Sequence, residues 1–167
     1  MNKLRKCTSI IAILLLLVGC GGDNNEHFQT LYKSDSGHLR GASIGQGIDE
    51  IRALEDKAYL RDEMNDYLHY DYELNMGNSY TVTYDFSRDD RLYEIEVAVF
   101  FDAIEDAGTL FQDYEFSFNR KFGKGQLADD GFTIWNLENS EQNIEIAMIN
   151  DSEAYGFLSI IVRDLNY

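Results

Sequence analysis

The fold is decided by one stretch of sequence, residues 68–101, which reads LHYDYELNMGNSYTVTYDFSRDDRLYEIEVAVFF. Apolar and polar residues alternate through it with a period of two, as in strands that bury one face. Two breaks interrupt the alternation, the pair Gly77-Asn78 and the polar run Ser87–Arg91, and such residues are typical of tight turns. The stretch therefore predicts three antiparallel strands with one apolar and one polar face.

A long helix is predicted directly after these strands. Apolar residues recur at steps of three and four and so share one stripe of a helix; they are Ile104, Ala107, Phe111, Tyr114, Phe118 and Phe122. Asp102 and Glu105 have the spacing of a capping box. Gly123 stands where such a helix ends.

Other strands and a short helix are predicted before and after this region of the sequence. Three more strands are expected near residues 132–137, 144–149 and 155–163, and a short helix follows Gly45-Gln46-Gly47. The order is helix, three strands, helix, three strands. It predicts an α+β domain in two layers, with an antiparallel sheet of about six strands and two helices on one face.

The first residues have the composition of an export signal. A positive head with Lys3, Arg5 and Lys6 precedes an apolar run of nine residues, 10–18, which is shorter than the roughly 20 residues that span a bilayer. We expect residues 1–19 to be a signal peptide. Residues 20–42, mostly polar, are expected to form a flexible tether, and residues 43–167 a single domain.

The end of this segment, Leu17-Val18-Gly19-Cys20, resembles the lipobox of bacterial lipoprotein precursors. The resemblance implies cleavage between Gly19 and Cys20 and acylation of Cys20, and a residue with two or three acyl chains is stably held by a bilayer. The alternative is an ordinary signal peptide with a chance cysteine at its end. The implied location is the cell envelope, at the outer membrane of a Gram-negative source and otherwise on the outer leaflet of the plasma membrane.

Composition restricts the partners. All 30 acidic residues follow residue 19, where only 11 of the 14 Lys and Arg remain, so the net charge after cleavage is −19. Nucleic acid is excluded as a partner, because its binding depends on Lys and Arg at phosphates. The acidity is explained by solubility or by a dedicated acidic binding surface. Cys7 leaves with the signal and Cys20 carries lipid, so no disulfide is expected.

No metal site and no cofactor are predicted. His27, His38 and His69 lack a second histidine at zinc-ligand spacing, and the acidic turns lack the ligand pattern of a calcium loop. Gly45-Gln46-Gly47 has neither the preceding strand nor the lysine of a phosphate-binding loop.

No catalytic residues are predicted either. The scattered serines do not stand in a strand–elbow–helix context. Glu73, Glu94 and Glu96 with His69 offer an acid–base arrangement on the polar sheet face. An envelope hydrolase is therefore retained as the least favoured function.

The second three strands are apolar on both sides. Two helices in one layer cover only one side of a sheet, so apolar surface is expected to remain, and large exposed apolar patches mark interfaces. We predict a partner-binding face around Trp135, Leu137 and Ile149. The alternative is that residues 21–42 or a bend in the sheet cover it.

The plan of the chain resembles two known families. The lipobox, the segment 44–51 and the strands 80–86 and 92–99 resemble the small outer-membrane-assembly lipoproteins of the SmpA/BamE type. The tandem helix-plus-three-strands order is similar to the β-lactamase-inhibitor-protein fold. Both imply a non-enzymatic protein that holds partners. The chain departs from the first by having two units and from the second by lacking disulfides.

These observations predict a non-catalytic, membrane-anchored envelope lipoprotein that binds another envelope protein as a scaffold. The alternative is an acidic inhibitor or immunity-type protein that blocks a partner enzyme. The two differ in salt dependence, because binding through an acidic face weakens steeply with ionic strength.

Overall fold

The computed structural model describes residues 25–138 and 142–167. The predicted signal peptide, its predicted cleavage site after Gly19 and the predicted acylation site Cys20 lie outside these residues. Eight strands are present: β1 Leu60–Glu63, β2 Tyr67–Glu73, β3 Ser79–Phe86, β4 Leu92–Phe101, β5 Gln126–Leu127, β6 Thr133–Glu138, β7 Asn143–Asn150 and β8 Gly156–Asp164. They form one antiparallel sheet in the order β1-β2-β3-β4-β8-β7-β6-β5.

The sheet consists of two four-strand meanders joined at β4 and β8. Ile95 lies opposite Val162 at this junction, and Val97 lies opposite Ile160. The two edge strands are short, with four residues in β1 and two in β5. Short edge strands leave few unpaired backbone groups for pairing with another chain.

Three helices pack on one face of the sheet. They are α1 Glu26–Tyr32, α2 Ile48–Arg52 and α3 Ile104–Phe122. α3 connects the two meanders, and its Phe118 ring lies edge-on to Trp135, with 5.3 Å between the ring centroids. α1 packs on α3 through Phe28 and Tyr114, whose centroids are 5.1 Å apart.

The predicted fold class was wrong. The sheet has eight strands where about six were expected, and the described residues begin with an additional helix that changes the element order. The three missed elements are α1, β1 and β5. β1 reads Leu-Arg-Asp-Glu and shows no apolar alternation, β5 is too short to show any period, and α1 contributes only Phe28 and Leu31 to the core.

The start of α3 also differs from expectation. Its N-cap is Ala103, which makes no side-chain capping bond. The backbone N–H of Asp102 donates to Oδ1 of Asn78 at 3.0 Å, so Asp102 closes the loop at the end of β4. Glu105 and Asp106 still lie in the first turn, where the helix dipole favours acidic residues.

Residues 26–42 belong to the folded body. Phe28, Leu31, Leu39 and Ala42 are all buried in the core with the sheet residues. Residues 20–42 were expected to form a flexible tether, and of these the structure places 26–42 in the fold. Burial of these apolar side chains stabilises the segment, each by about 1.5–3 kcal/mol for the larger ones.

A buried ion pair ties this segment to the sheet. Arg40, which is 1% exposed, donates from Nε and Nη2 to the two carboxylate oxygens of Glu55 at 3.0 and 3.1 Å. The hydroxyls of Tyr72 and Tyr84 donate to the same carboxylate at 2.5 and 2.6 Å. Lys33 completes the cluster with an ion pair to Glu55. Glu55 therefore connects three parts of the chain that are distant in sequence.

The cluster keeps Glu55 charged. Burial by itself raises the pKa of a carboxyl group, but the Arg40 charge and the hydrogen bonds from Arg40, Lys33 and Tyr72 outweigh it and lower the pKa of Glu55 to about 2. Burial and the nearby Glu55 charge raise the pKa of Tyr84 well above its usual value. Because the donors satisfy the carboxylate, the buried charge is tolerated.

Candidate functional site: the open face of the sheet

The side of the sheet opposite the helices is the candidate site, and we call it the open face. Strand residues alternate between the two sides, and those facing the helices are buried, as the burial pattern of β3 shows. The helices of the described residues lie on the other side, where α3 contacts β4, β6, β7 and β8. Side chains on the open face thus have no covering layer in the part of the chain that the structure describes.

The second meander contributes an apolar strip to this face. Ile161, Ala147 and Ile134 lie in one row across β8, β7 and β6. Phe100 and Phe157 lie opposite each other across β4 and β8, with ring centroids 5.0 Å apart, and Tyr155 stands 6.4 Å from Phe100. The apolar strip is formed by Phe100 of β4, where the first meander joins the second, and by Ile134, Ala147, Ile149, Phe157 and Ile161 of the second meander. Phe100 is exposed, Ala147 is buried between its neighbours, and the other four are half-buried.

The first meander contributes charge to the same face. Asp85 on β3 lies directly opposite Glu94 on β4, and Glu96 follows on the same side of β4. We call these three residues the acidic rail. Burial, then Glu96 and Asp66, raise the pKa of Asp85, and burial, then Asp85, raise that of Glu94. Like charges placed opposite each other on a sheet are destabilising, so this arrangement favours a cationic neighbour.

The rail and the strip are contiguous. Glu96 lies opposite Ile161, and Glu94 lies opposite Arg163. Arg163 itself donates to Glu145 from Nε and Nη2, at 3.0 and 2.6 Å. A partner that covers both parts therefore meets apolar side chains on one half and carboxylates on the other.

The predicted face around Trp135, Leu137 and Ile149 is divided by the sheet. Trp135 is 2% exposed, and its indole N–H donates to Oδ1 of Asn119 at 3.0 Å under α3. Leu137 lies on the same helix side and packs against the core. Ile149 alone of the three lies on the open face, opposite Ser159. Residues one position away from Trp135 and Leu137 in the strand, such as Ile134, take the open positions.

The acid–base arrangement suggested by the sequence is spread over the open face. His69 lies between Thr83 and Asp71, with ring nitrogens 2.9 and 3.1 Å from their side-chain oxygens. Glu96 is one strand further away, opposite Thr83. Glu73 lies at the far end of β2, opposite Ser79. The structure therefore does not bring Glu73 together with the other carboxylates.

The remaining histidines serve the fold. The ring of His27 packs edge-on to Phe101 at 4.9 Å. Nδ1 of His38 accepts from the backbone N–H of Ile44 at 3.0 Å, and burial lowers the pKa of His38. Within residues 25–138 and 142–167, no group of three His, Cys, Asp or Glu side chains is placed to hold a metal ion.

The sequence pattern partly predicts the open face, but it does not predict the buried cluster around Glu55. The second-meander strands are apolar at both odd and even positions, which indicates apolar residues on both faces, although it does not say which set faces the helices. Arg40 and Glu55 are 15 residues apart in a polar region, and no periodicity links them. The ion pair was therefore missed.

Comparison of the chain with known proteins identifies no similar protein. No family model, no curated protein and no solved structure matches the chain. A helix long and apolar enough to cross a bilayer is not found among the described residues.

Proposed function

We propose that the protein is a non-catalytic cell-envelope lipoprotein, anchored through acylated Cys20, that binds a partner protein on the open face of its sheet. The uncovered apolar strip beside the acidic rail is the observation that supports it. An apolar patch rimmed by polar residues is typical of a protein interface. The partner is expected to present apolar side chains flanked by Lys and Arg.

The anchor has support from the sequence. A charged head, a short apolar run and Leu17-Val18-Gly19-Cys20 agree with lipoprotein processing. Intact-mass measurement on protein purified from its own membranes tests this part. The expected mass is that of residues 20–167 plus acyl chains. A mass without acyl chains would contradict the anchor.

Photo-crosslinking tests the open face. A benzophenone amino acid placed at Phe100, on the open face, is expected to give one discrete protein adduct in intact envelopes. The same group at Phe116, which lies on α3 and is more exposed than Phe100, serves as the control and is expected to give no protein adduct. Equal adducts at both positions, or none at Phe100, would contradict the proposal.

A charge substitution sharpens the test. Ile161→Lys replaces an apolar residue of the strip, and the new ammonium group lies opposite Glu96, which helps the fold to tolerate it. We expect the Phe100 adduct to be lost in this variant. Ile104→Lys, a substitution at an exposed apolar residue of α3, is the matched control and should leave the adduct unchanged.

The acidic rail supports a second function, an inhibitor or immunity-type protein that blocks a basic enzyme. Salt dependence was expected to separate the two functions, but the rail lies beside the strip on one face, so both predict that the adduct decreases at high salt if the rail contacts the partner. They differ in the effect on the partner. An enzyme whose turnover stops on binding favours inhibition, whereas a partner with unchanged activity favours a scaffold.

A further inference from the structure

A second surface lies on the helix side, between α1 and α3. The two helices leave a groove of about 320 Å³, which we call the α1/α3 groove. Aromatic rings of Phe28, Tyr32 and Phe116 line it, with the cations Lys33 and Arg120 at its rim. Phe116 is 54% exposed, although it stands in a helix that buries Tyr114 and Phe118 and half-buries Phe111 and Phe122.

One end of this groove is basic in a strongly acidic protein. Lys33, Arg120, Lys121 and Lys124 gather where α1 and α3 end, and we call them the basic end. The guanidinium carbon of Arg120 lies 5.9 Å from the centroid of the Phe116 ring. Lys121 donates to the backbone carbonyls of Asp35 and Gly37.

Two of the acids near this surface, Asp35 and Asp113, accept hydrogen bonds from neighbouring side chains. Asp35 accepts from the hydroxyl of Tyr32 at 2.5 Å and lies 4.0 Å from the Lys121 ammonium. Asp113 accepts from the side-chain amide of Asn25 at 2.9 Å. Aromatic side chains with adjacent Lys and Arg are the residues that proteins place at a membrane surface.

The point where the chain enters the structure lies at the same groove. Asn25 is the first described residue, and its amide bonds to Asp113 in the groove wall. Cys20 is five residues earlier, and five extended residues span at most about 17 Å. A domain of this length has a radius of gyration of about 14 Å, so its width exceeds that reach. A lipid on Cys20 therefore keeps this face near the bilayer.

We propose that the α1/α3 groove and the basic end lie against the bilayer and bind anionic phospholipid, so that the open face points away from the membrane. The inference rests on the anchor of the proposed function. Each Lys or Arg near an anionic surface adds about fivefold to binding. The acidic rail lies on the opposite side of the sheet, and its repulsion from anionic lipid favours the same orientation.

The test uses the lipidated protein in vesicles of phosphatidylcholine with phosphatidylglycerol. With Cys20 acylated and Cys7 removed, no other cysteine is present, so Phe116→Cys takes a single nitroxide label. Collision of the label with a water-soluble nickel chelate and with oxygen reports its depth. Tyr155→Cys is the matched control, because Tyr155 is also 54% exposed but lies beside the open face.

We expect nickel access to the label at position 116 to fall several-fold on reconstitution, while the label at 155 stays accessible. Removing phosphatidylglycerol, or introducing Arg120→Gln together with Lys124→Gln, should restore nickel access at 116. Protein that floats with the vesicles but keeps label 116 as accessible as label 155 overturns the inference and leaves the anchor standing. Shielding of label 155 alone also overturns it. Protein that does not float overturns the anchor and the inference together.

Discussion

At the scale of single residues, the carboxylate of Glu55 holds the buried cluster together because four side chains donate to it. Its carboxylate accepts from Arg40, Lys33, Tyr72 and Tyr84, which lie in the N-terminal segment and on β2 and β3. Isolated buried charge is costly, so the fully buried guanidinium of Arg40 is tolerated in the core because the carboxylate is present. The loss of this one group leaves Arg40 buried without its counter-charge.

Glu55→Gln is expected to lower the free energy of unfolding by about 3–5 kcal/mol at neutral pH. Glu153→Gln, at an exposed loop position, is the control and should change it by less than about 0.5 kcal/mol. Urea unfolding followed by Trp135 fluorescence measures both. Equal stability of the two variants would show that the cluster contributes little.

This difference should also depend on pH. The pKa of Glu55 is lowered from 4.5 to about 2 by folding, so between these values the unfolded chain binds more protons than the folded chain. Stability from this group is therefore present above about pH 4.5 and is lost as the pH falls towards 2. The gap between wild type and Glu55→Gln should shrink over that range. Asp85 and Glu94 titrate in both proteins, and their contributions cancel.

At the scale of elements, the junction of α3 with the sheet depends on a close backbone approach. Gly156 begins β8 beside the start of α3, and a Cβ there would lie 2.6 Å from the carbonyl oxygen of Ala103. Since Phe101 and Ala107 also lie within about 3 Å of that position, a side chain has no room. The absence of one methyl group allows the helix to reach the sheet.

Two glycine substitutions should therefore have opposite effects. Gly156→Ala is expected to destabilise the protein by about 1–3 kcal/mol because it overpacks this junction. Gly108→Ala lies inside α3, where the nearest atom outside the helix backbone is Nδ2 of Asn150 at 3.8 Å from the new methyl group, and it should stabilise the protein by about 0.5–1 kcal/mol. Thermal unfolding by circular dichroism compares them. A stabilising Gly156→Ala would contradict the packing described.

At the scale of the whole molecule, the chain from Asn25 onwards shares one core. Residues of α1, of the segment up to α2, of α3 and of both meanders belong to the same buried cluster. The helices occupy one side of the sheet and leave the other side, the open face, uncovered among the described residues. In the proposed orientation, the membrane and the partner protein lie on opposite sides of the sheet.

Leu31→Ala tests whether the N-terminal segment unfolds with the rest. Leu31 is fully buried in the core, so we expect a loss of about 2–5 kcal/mol with fluorescence and circular dichroism transitions that still coincide. Leu127→Ala, at a residue 78% exposed, should have little effect. Separate transitions in the parent protein would show that residues 26–42 form an independent unit.

Prediction from the sequence succeeded where periodicity is long. Strands β2, β3 and β4 occupy the alternating stretch 67–101, and α3 buries Ala107, Tyr114 and Phe118 of the predicted stripe. It failed at β1 and β5, because edge strands do not need an apolar face of their own. It also did not foresee that Trp135 is buried under α3, because strands that are apolar on both sides do not indicate which side the helix covers.

The sequence by itself determined the export-signal pattern, the excess of acid and the main strands and long helix, because these depend on composition and on contacts between near neighbours in the chain. Tertiary structure alone decided that β4 pairs with β8, that Arg40 meets Glu55 and that the apolar strip and the acidic rail share the open face. These features join residues that are far apart in sequence. They arise from the burial of the helix-facing side, which local pattern does not specify.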